Sequence, residues 1–164
     1  ILSYGVEVID GVLVQNNPIN FIDPYGLFFI YDKSDQQLTW YEDEAGWTDP
    51  PSQSWSATSG PYGSGALPDG WYYLTGEEDP AQSENNSMTD TCDNTYKYRL
   101  HPQFNTDRTG LLIHPDGGVP GTAGCVGGKG CTGSLRDFLK TRLGTANGRG
   151  NPSTGNHVTV LVRP

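Results

Sequence analysis

A histidine and a cysteine stand eleven positions apart in Ile113-His114-Pro115-Asp116-Gly117-Gly118-Val119-Pro120-Gly121-Thr122-Ala123-Gly124-Cys125-Val126. A thiol is a poor nucleophile until it becomes a thiolate, and a nearby imidazole can take its proton. Cys125 is therefore a candidate nucleophile and His114 its candidate base. The Gly/Pro-rich loop between them lets backbone N–H groups face a ligand. Those of Gly124 and Cys125 would suit a tetrahedral oxyanion, and the Thr122 hydroxyl would add a donor. On spacing alone the commoner reading is plainer, a buried Cys beside an unrelated turn.

These residues need elements to hold them. The apolar run Gly110 to His114 reads as a strand that ends on the histidine. Phe28 to Tyr31 and Leu38 to Tyr41 read as two strands around an Asp32–Asp35 turn. Ser54 to Ser59, Trp71 to Leu74, Tyr96 to Leu100 and His157 to Val162 read as further strands. Ser134 to Leu143 is the best helix, with Ser134 as its cap and Leu135, Phe138 and Leu139 on one face. Cys131 follows Cys125 on a Gly-rich stretch, and Glu77 to Asp93 reads as an exposed acidic insertion. With 22 Gly, 12 Pro and many aromatics in 164 residues, the expected fold is mainly β with one or two short helices.

The formal net charge is -9, which disfavours nucleic acid as a partner. No apolar run approaches the roughly 20 residues that span a bilayer, and no signal peptide is visible. The chain starts at Ile1 without Met, so it reads as a piece of something longer. Three His and three Cys show no metal-site spacing.

The His–Cys stretch resembles the L,D-transpeptidase signature, in which a His is followed by S/T-x-G-C. Ser59-Gly60 with Ala66-Leu67-Pro68-Asp69-Gly70-Trp71-Tyr72, and Tyr98-Arg99-Leu100-His101-Pro102 with Arg108-Thr109-Gly110, resemble segments of a small subfamily of type VI antibacterial effectors. The order also fits, because papain-like and NlpC-like peptidases place the Cys first. The resemblance implies an L,D-transpeptidase-like β-rich domain. It implies Cys125 and His114 as catalytic pair, with Thr122 and Gly124 framing the nucleophile. The substrate would be the stem peptide of peptidoglycan, and no metal or organic cofactor would be needed. This sequence departs from the family at Pro115, where Gly is usual, and at Val126-Gly127-Gly128, where many members carry Arg. Arg108, Arg99 and His101 are the candidates for the missing substrate contact. Another wall-cutting cysteine hydrolase, or a non-catalytic wall-binding module, is the alternative.

Upstream, Asn16-Asn17-Pro18-Ile19-Asn20-Phe21-Ile22-Asp23-Pro24-Tyr25-Gly26-Leu27 resembles the closing motif of an Rhs repeat core. That resemblance implies a core remnant over 1–27 and a toxin domain over 28–164. Cleavage would fall between Leu27 and Phe28, with Asp23 in the motif. The implied partners are an immunity protein, the Rhs shell and secretion spike components. The implied site of action is the periplasm of a rival bacterium. There a Cys92–Cys131 disulfide could form; Cys125–Cys131 is the competing pair and would silence the nucleophile.

Overall fold

The computed structural model describes residues 6–9, 12–15, 28–42, 52–78, 87–118, 120–143 and 157–164. Val6–Ile9 (β1) and Val12–Gln15 (β2) pair antiparallel in a two-stranded sheet of their own. Phe28–Asp32 (β3) and Gln37–Tyr41 (β4) form a hairpin. Asp32 builds its turn: one carboxylate oxygen accepts from Ser34 N at 3.0 Å, Ser34 Oγ at 2.7 Å and Asp35 N at 3.1 Å, as Asp does in turns. There follow Gln53–Thr58 (β5), Gly70–Glu78 (β6), Lys97–Pro102 (β7), Leu112–Pro115 (β8), Val126–Gly128 (β9), Gly133–Leu143 (α1) and His157–Arg163 (β10).

Among the described residues, eight strands close into a barrel in the order β10, β3, β4, β5, β9, β8, β7, β6, and β6 returns to β10. The β10–β3 and β8–β9 pairs are parallel and the others antiparallel. Strand alternation sends one side chain in two inward. Phe29, Tyr31, Leu38, Trp40, Tyr72, Leu74, Tyr98, Leu100, Ile113, Val126, Val158, Val160 and Val162 form the buried core. Helix α1 adds Leu135, Leu139 and Leu143. Its Phe138 meets Trp40 and Trp55 edge-on or tilted, each at 5.1 Å. The mainly β fold expected from the sequence is the one found, with one helix among the described residues.

Two local expectations change, and one strand was not foreseen. Ser134 lies inside α1, and its hydroxyl accepts from Trp55 Nε1 at 3.1 Å rather than capping the helix. Glu77 and Glu78 belong to β6, not to a solvated loop, because Arg136 and Arg99 pair with them. The residues after Cys125 form a strand, β9, whose glycines leave room for close neighbours. A Cβ on Gly127 would come within 2.8 Å of Thr122 Cγ2, and one on Gly128 within 2.9 Å of Thr132 Cγ2. Glycine in a strand often marks such close approach.

Cys92 and Cys131 are disulfide-bonded with Cα atoms 5.3 Å apart, which is the pairing first expected; Cys125 lies outside the disulfide. Beside the bridge, the buried Asp90 carboxylate accepts from Thr132 N at 2.6 Å and Thr132 Oγ at 2.7 Å. Its other oxygen accepts from Cys92 N at 2.8 Å and Asn94 N at 3.0 Å. Burial pushes this carboxyl up, but the hydrogen bonds from Thr132, Asn94 and Cys92 outweigh it and hold it at about 2. The 87–95 segment is thus fastened to the start of α1.

Candidate active site

β8 carries His114 and β9 follows Cys125, and these two strands run side by side. The register pairs Ile113 with Val126 and His114 with Gly127. Ile113 and Val126 both point into the core, so alternation turns His114 to the outer face. Continuing that pleat one residue back from β9 puts Cys125 on the same face, two positions from the partner of His114. The parallel pairing therefore brings together residues that the sequence separates by a whole loop.

The imidazole is fixed in tautomer as well as place. His114 is buried, and its Nδ1 lies 2.7 Å from Pro115 O. A carbonyl only accepts, so Nδ1 carries the proton. The neutral ring then has its lone pair on Nε2, the state a general base needs. The orienting group is a backbone oxygen, which no sequence motif reveals. Cys125 is partly exposed, and its Sγ points at Gly110 O, 3.6 Å away, in the segment that leads into β8.

The loop between the pair is held from within. Asp116 accepts from Gly121 N at 3.0 Å and 3.2 Å. Burial raises its carboxyl above the ordinary value, opposed by the Gly121 N–H and by the charges of His114 and Lys129. Thr122 is buried at 4% exposure; its hydroxyl donates to Cys125 O at 2.6 Å and accepts from Gly60 N and Gly124 N at 3.2 Å and 3.3 Å. Thr122 N donates to Gly60 O at 2.8 Å, and Tyr62 N donates to Thr122 O at 3.1 Å. Thr122 and Gly124 therefore frame Cys125. The Thr122 proton goes to Cys125 O and the Gly124 N–H to Thr122 Oγ1, both within the loop.

The three residues suggested as substrate contacts have these partners. Arg99 forms a bidentate pair with Glu78, at 2.7 Å and 2.9 Å. His101 places Nε2 3.1 Å from Thr75 Oγ1, and burial, with Arg99 nearby, lowers its pKa. Arg108 lies at the loop before Cys125, and its guanidinium donates to backbone carbonyls of residues 64–66 and 123. Asp23 and Leu27 lie outside the described residues; Phe28 opens β3 and stacks on Tyr41 at 5.4 Å.

Sequence reasoning missed Asp116 and Gly60 as loop anchors, and Lys97. Lys97 is buried, and the β7–β8 ladder, continued one residue past Tyr98–Ile113, sets it across from His114. A hollow of about 240 Å³ opens behind the loop between Thr58, Gly60, Asp116, Gly121 and Lys129; neither Cys125 nor His114 lines it. Among the described residues no group of three or more His, Cys, Asp or Glu could hold a metal ion, and no helix is long and apolar enough to cross a membrane.

No protein-family model matches the chain, and no curated protein matches it. Solved structures do. An L,D-transpeptidase from Mycobacterium smegmatis superposes with a TM-score of 0.52 at 11% identity, over 85% of this chain and 59% of that one. The chain has the fold of an L,D-transpeptidase domain. An L,D-transpeptidase (Yku) from Stackebrandtia nassauensis gives 0.49 at 16% identity, over 89% and 62%, and the fold assignment rests on the first. This chain spans 59% and 62% of the length of those two proteins. A fold does not set an activity by itself; the site does.

Proposed function

We propose that this chain is a cysteine acyl-transfer enzyme of peptidoglycan, an L,D-transpeptidase or L,D-carboxypeptidase. The observation that carries the reading is the pair formed by His114 on β8 and Cys125 just before β9. In an L,D-transpeptidase fold, His114 has its Nδ1 proton on Pro115 O and shares an outer face with Cys125. Cys125 Sγ would give its proton to His114 Nε2 and attack the carbonyl between the third-position diamino acid and D-Ala. The Cys125 N–H would donate to the resulting oxyanion. His114 would return the proton to the leaving D-Ala amine. Water, a D-amino acid or the amine of a second stem would then release the acyl group, giving trimming, exchange or a crosslink.

The Rhs-like motif before Phe28 and the effector-like segments support a larger role. The chain would be an Rhs-delivered antibacterial toxin of a type VI system, acting in a rival's periplasm and consuming tetrapeptide donors. Its partners would be the Rhs shell, spike components and an immunity protein over the cleft. The test is muropeptide analysis after treating sacculi with the parent, Cys125→Ala and His114→Ala. Loss of D-Ala from tetrapeptides with the parent alone is expected. Intact tetrapeptides with lost dimers would point to an endopeptidase. Equal periplasmic toxicity of all three proteins would end the enzymatic reading.

A further inference from the structure

Most arginines of the described residues meet a carboxylate. Arg99 pairs with Glu78, Arg136 with Glu77, Arg142 with Glu42 and Arg163 with Asp32. Arg108 differs. Among the described residues its guanidinium meets carbonyl oxygens only: Ser64 O at 2.9 Å, Gly65 O at 3.3 Å, Ala123 O at 3.4 Å and Ala66 O at 3.5 Å. Carbonyl dipoles solvate a cation without cancelling its charge, and guanidinium stays protonated throughout the working pH range. A full positive charge therefore sits at the turn that presents Cys125.

The contact is intimate. Gly124 holds a φ of +111°, a left-handed value that favours glycine. The space its Cβ would fill is taken by Arg108 Nη2. The same short segment supplies Gly110 O, to which the Cys125 thiol points. Residues 108–110 thus grip the nucleophile turn with a cation on one side and a carbonyl on the other. The fork also ties that turn to the 64–66 loop, which no single-point contact would do.

We infer that Arg108 is a positioning residue, whose guanidinium fixes the 123–125 turn and favours the thiolate of Cys125. The inference rests on the cysteine reading above and gives Arg108 a role other than substrate capture. The other charged groups on the segments that flank Cys125 are His114 on β8, Asp116 beyond its end, Lys129 beyond β9, Lys97 on β7 and the exposed Asp107. A thiolate beside a cation titrates lower than a thiol in water. Removing the charge raises that midpoint, whereas a purely structural loss would leave it in place.

The experiment is iodoacetamide alkylation of Cys125 in the full oxidised chain, followed against pH by mass spectrometry, with Cys125→Ala as blank. The melting temperature of every variant is recorded alongside. Arg108→Gln should move the alkylation midpoint up by about one pH unit and slow the reaction by roughly tenfold at pH values well below the parental midpoint. Arg108→Lys keeps the charge but cannot reach both loops, so it should fall between the two. A folded Arg108→Gln with the parental profile overturns the inference. If the Gln variant does not fold, the Lys variant decides: a several-fold loss at those pH values supports the role and a parental profile overturns it. Muropeptide trimming is scored on the same preparations. A parent with a low midpoint but no trimming sinks the proposed function and leaves Arg108 standing.

Discussion

At the residue scale, the site depends on where single protons and charges go. Thr122 shows this most clearly, because its one hydroxyl serves Cys125 O, Gly60 N and Gly124 N together. Thr122→Val keeps the shape and removes all three bonds, leaving buried backbone groups without a side-chain partner. Such orphaned groups cost about 1–3 kcal/mol, so the variant should melt several degrees lower and alkylate more slowly at Cys125. A parental melt by calorimetry would show that Thr122 does not hold the loop. Arg99 makes the complementary case. Tied to Glu78, it should matter for stability and not for substrate: Arg99→Met should lose about 2 kcal/mol in urea unfolding with the trimming KM essentially unchanged. Cys125, His114 and the Thr-x-Gly before the cysteine were legible as letters. What orients the imidazole was not, because Pro115 O is a backbone atom. The fate of Arg99 and Arg108 was hidden for a related reason: a guanidinium can donate to a carboxylate or to a carbonyl, and only the fold says which is near.

At the scale of elements, most strands could be read from their alternation, and β3 and β4 fall almost where the pattern put them. β9 escaped because Gly127 and Gly128 look like punctuation, while in the fold they are small residues required by Thr122, Asp116, Thr132 and Tyr96 close by. The acidic insertion was misread at its start, since only the neighbouring arginines turn Glu77 and Glu78 into strand residues. Its far part is a brace. Asp90 and the Cys92–Cys131 bridge fasten the 87–95 segment to Thr132, and Ser87 O packs against Gly117 in the loop after His114. The bridge closes a loop with a sequence separation of 39, for which chain entropy gives about 4 kcal/mol. Reduction with dithiothreitol should therefore lower the melting temperature by roughly 10 °C and loosen both ends of the active-site loop; an unchanged melt would deny the brace its weight. Asp90 adds a pH signature. Its folded pKa is depressed to about 2, so its contribution is fully present above the ordinary carboxylate range and is lost as pH falls toward 2. Asp90→Asn should remove much of that acid-side decline in chemical denaturation, and should also lower stability at pH 7.

At the scale of the whole molecule, the barrel closes through its last strand. β10 lies between β3 and β6, parallel to one and antiparallel to the other, and carries Val158, Val160 and Val162 into the core. Burying three such side chains contributes roughly 5–9 kcal/mol, comparable with the net stability of a typical domain. Deleting residues 157–164 would also open two strand edges at once. That chain should show no cooperative unfolding transition and should aggregate. The other end behaves differently. β1 and β2 form a sheet of their own, and all eight barrel strands lie from Phe28 onward. If the boundary between Leu27 and Phe28 is right, residues 28–164 should fold alone, melt within about 5 °C of the full chain and keep Cys125 reactivity. A chain starting at Phe28 keeps the first β3–β10 pair, Phe28 with Thr159. A 28–164 protein that is insoluble, or that melts far lower, would mean that residues before Phe28 help to hold the barrel and that the domain boundary lies upstream.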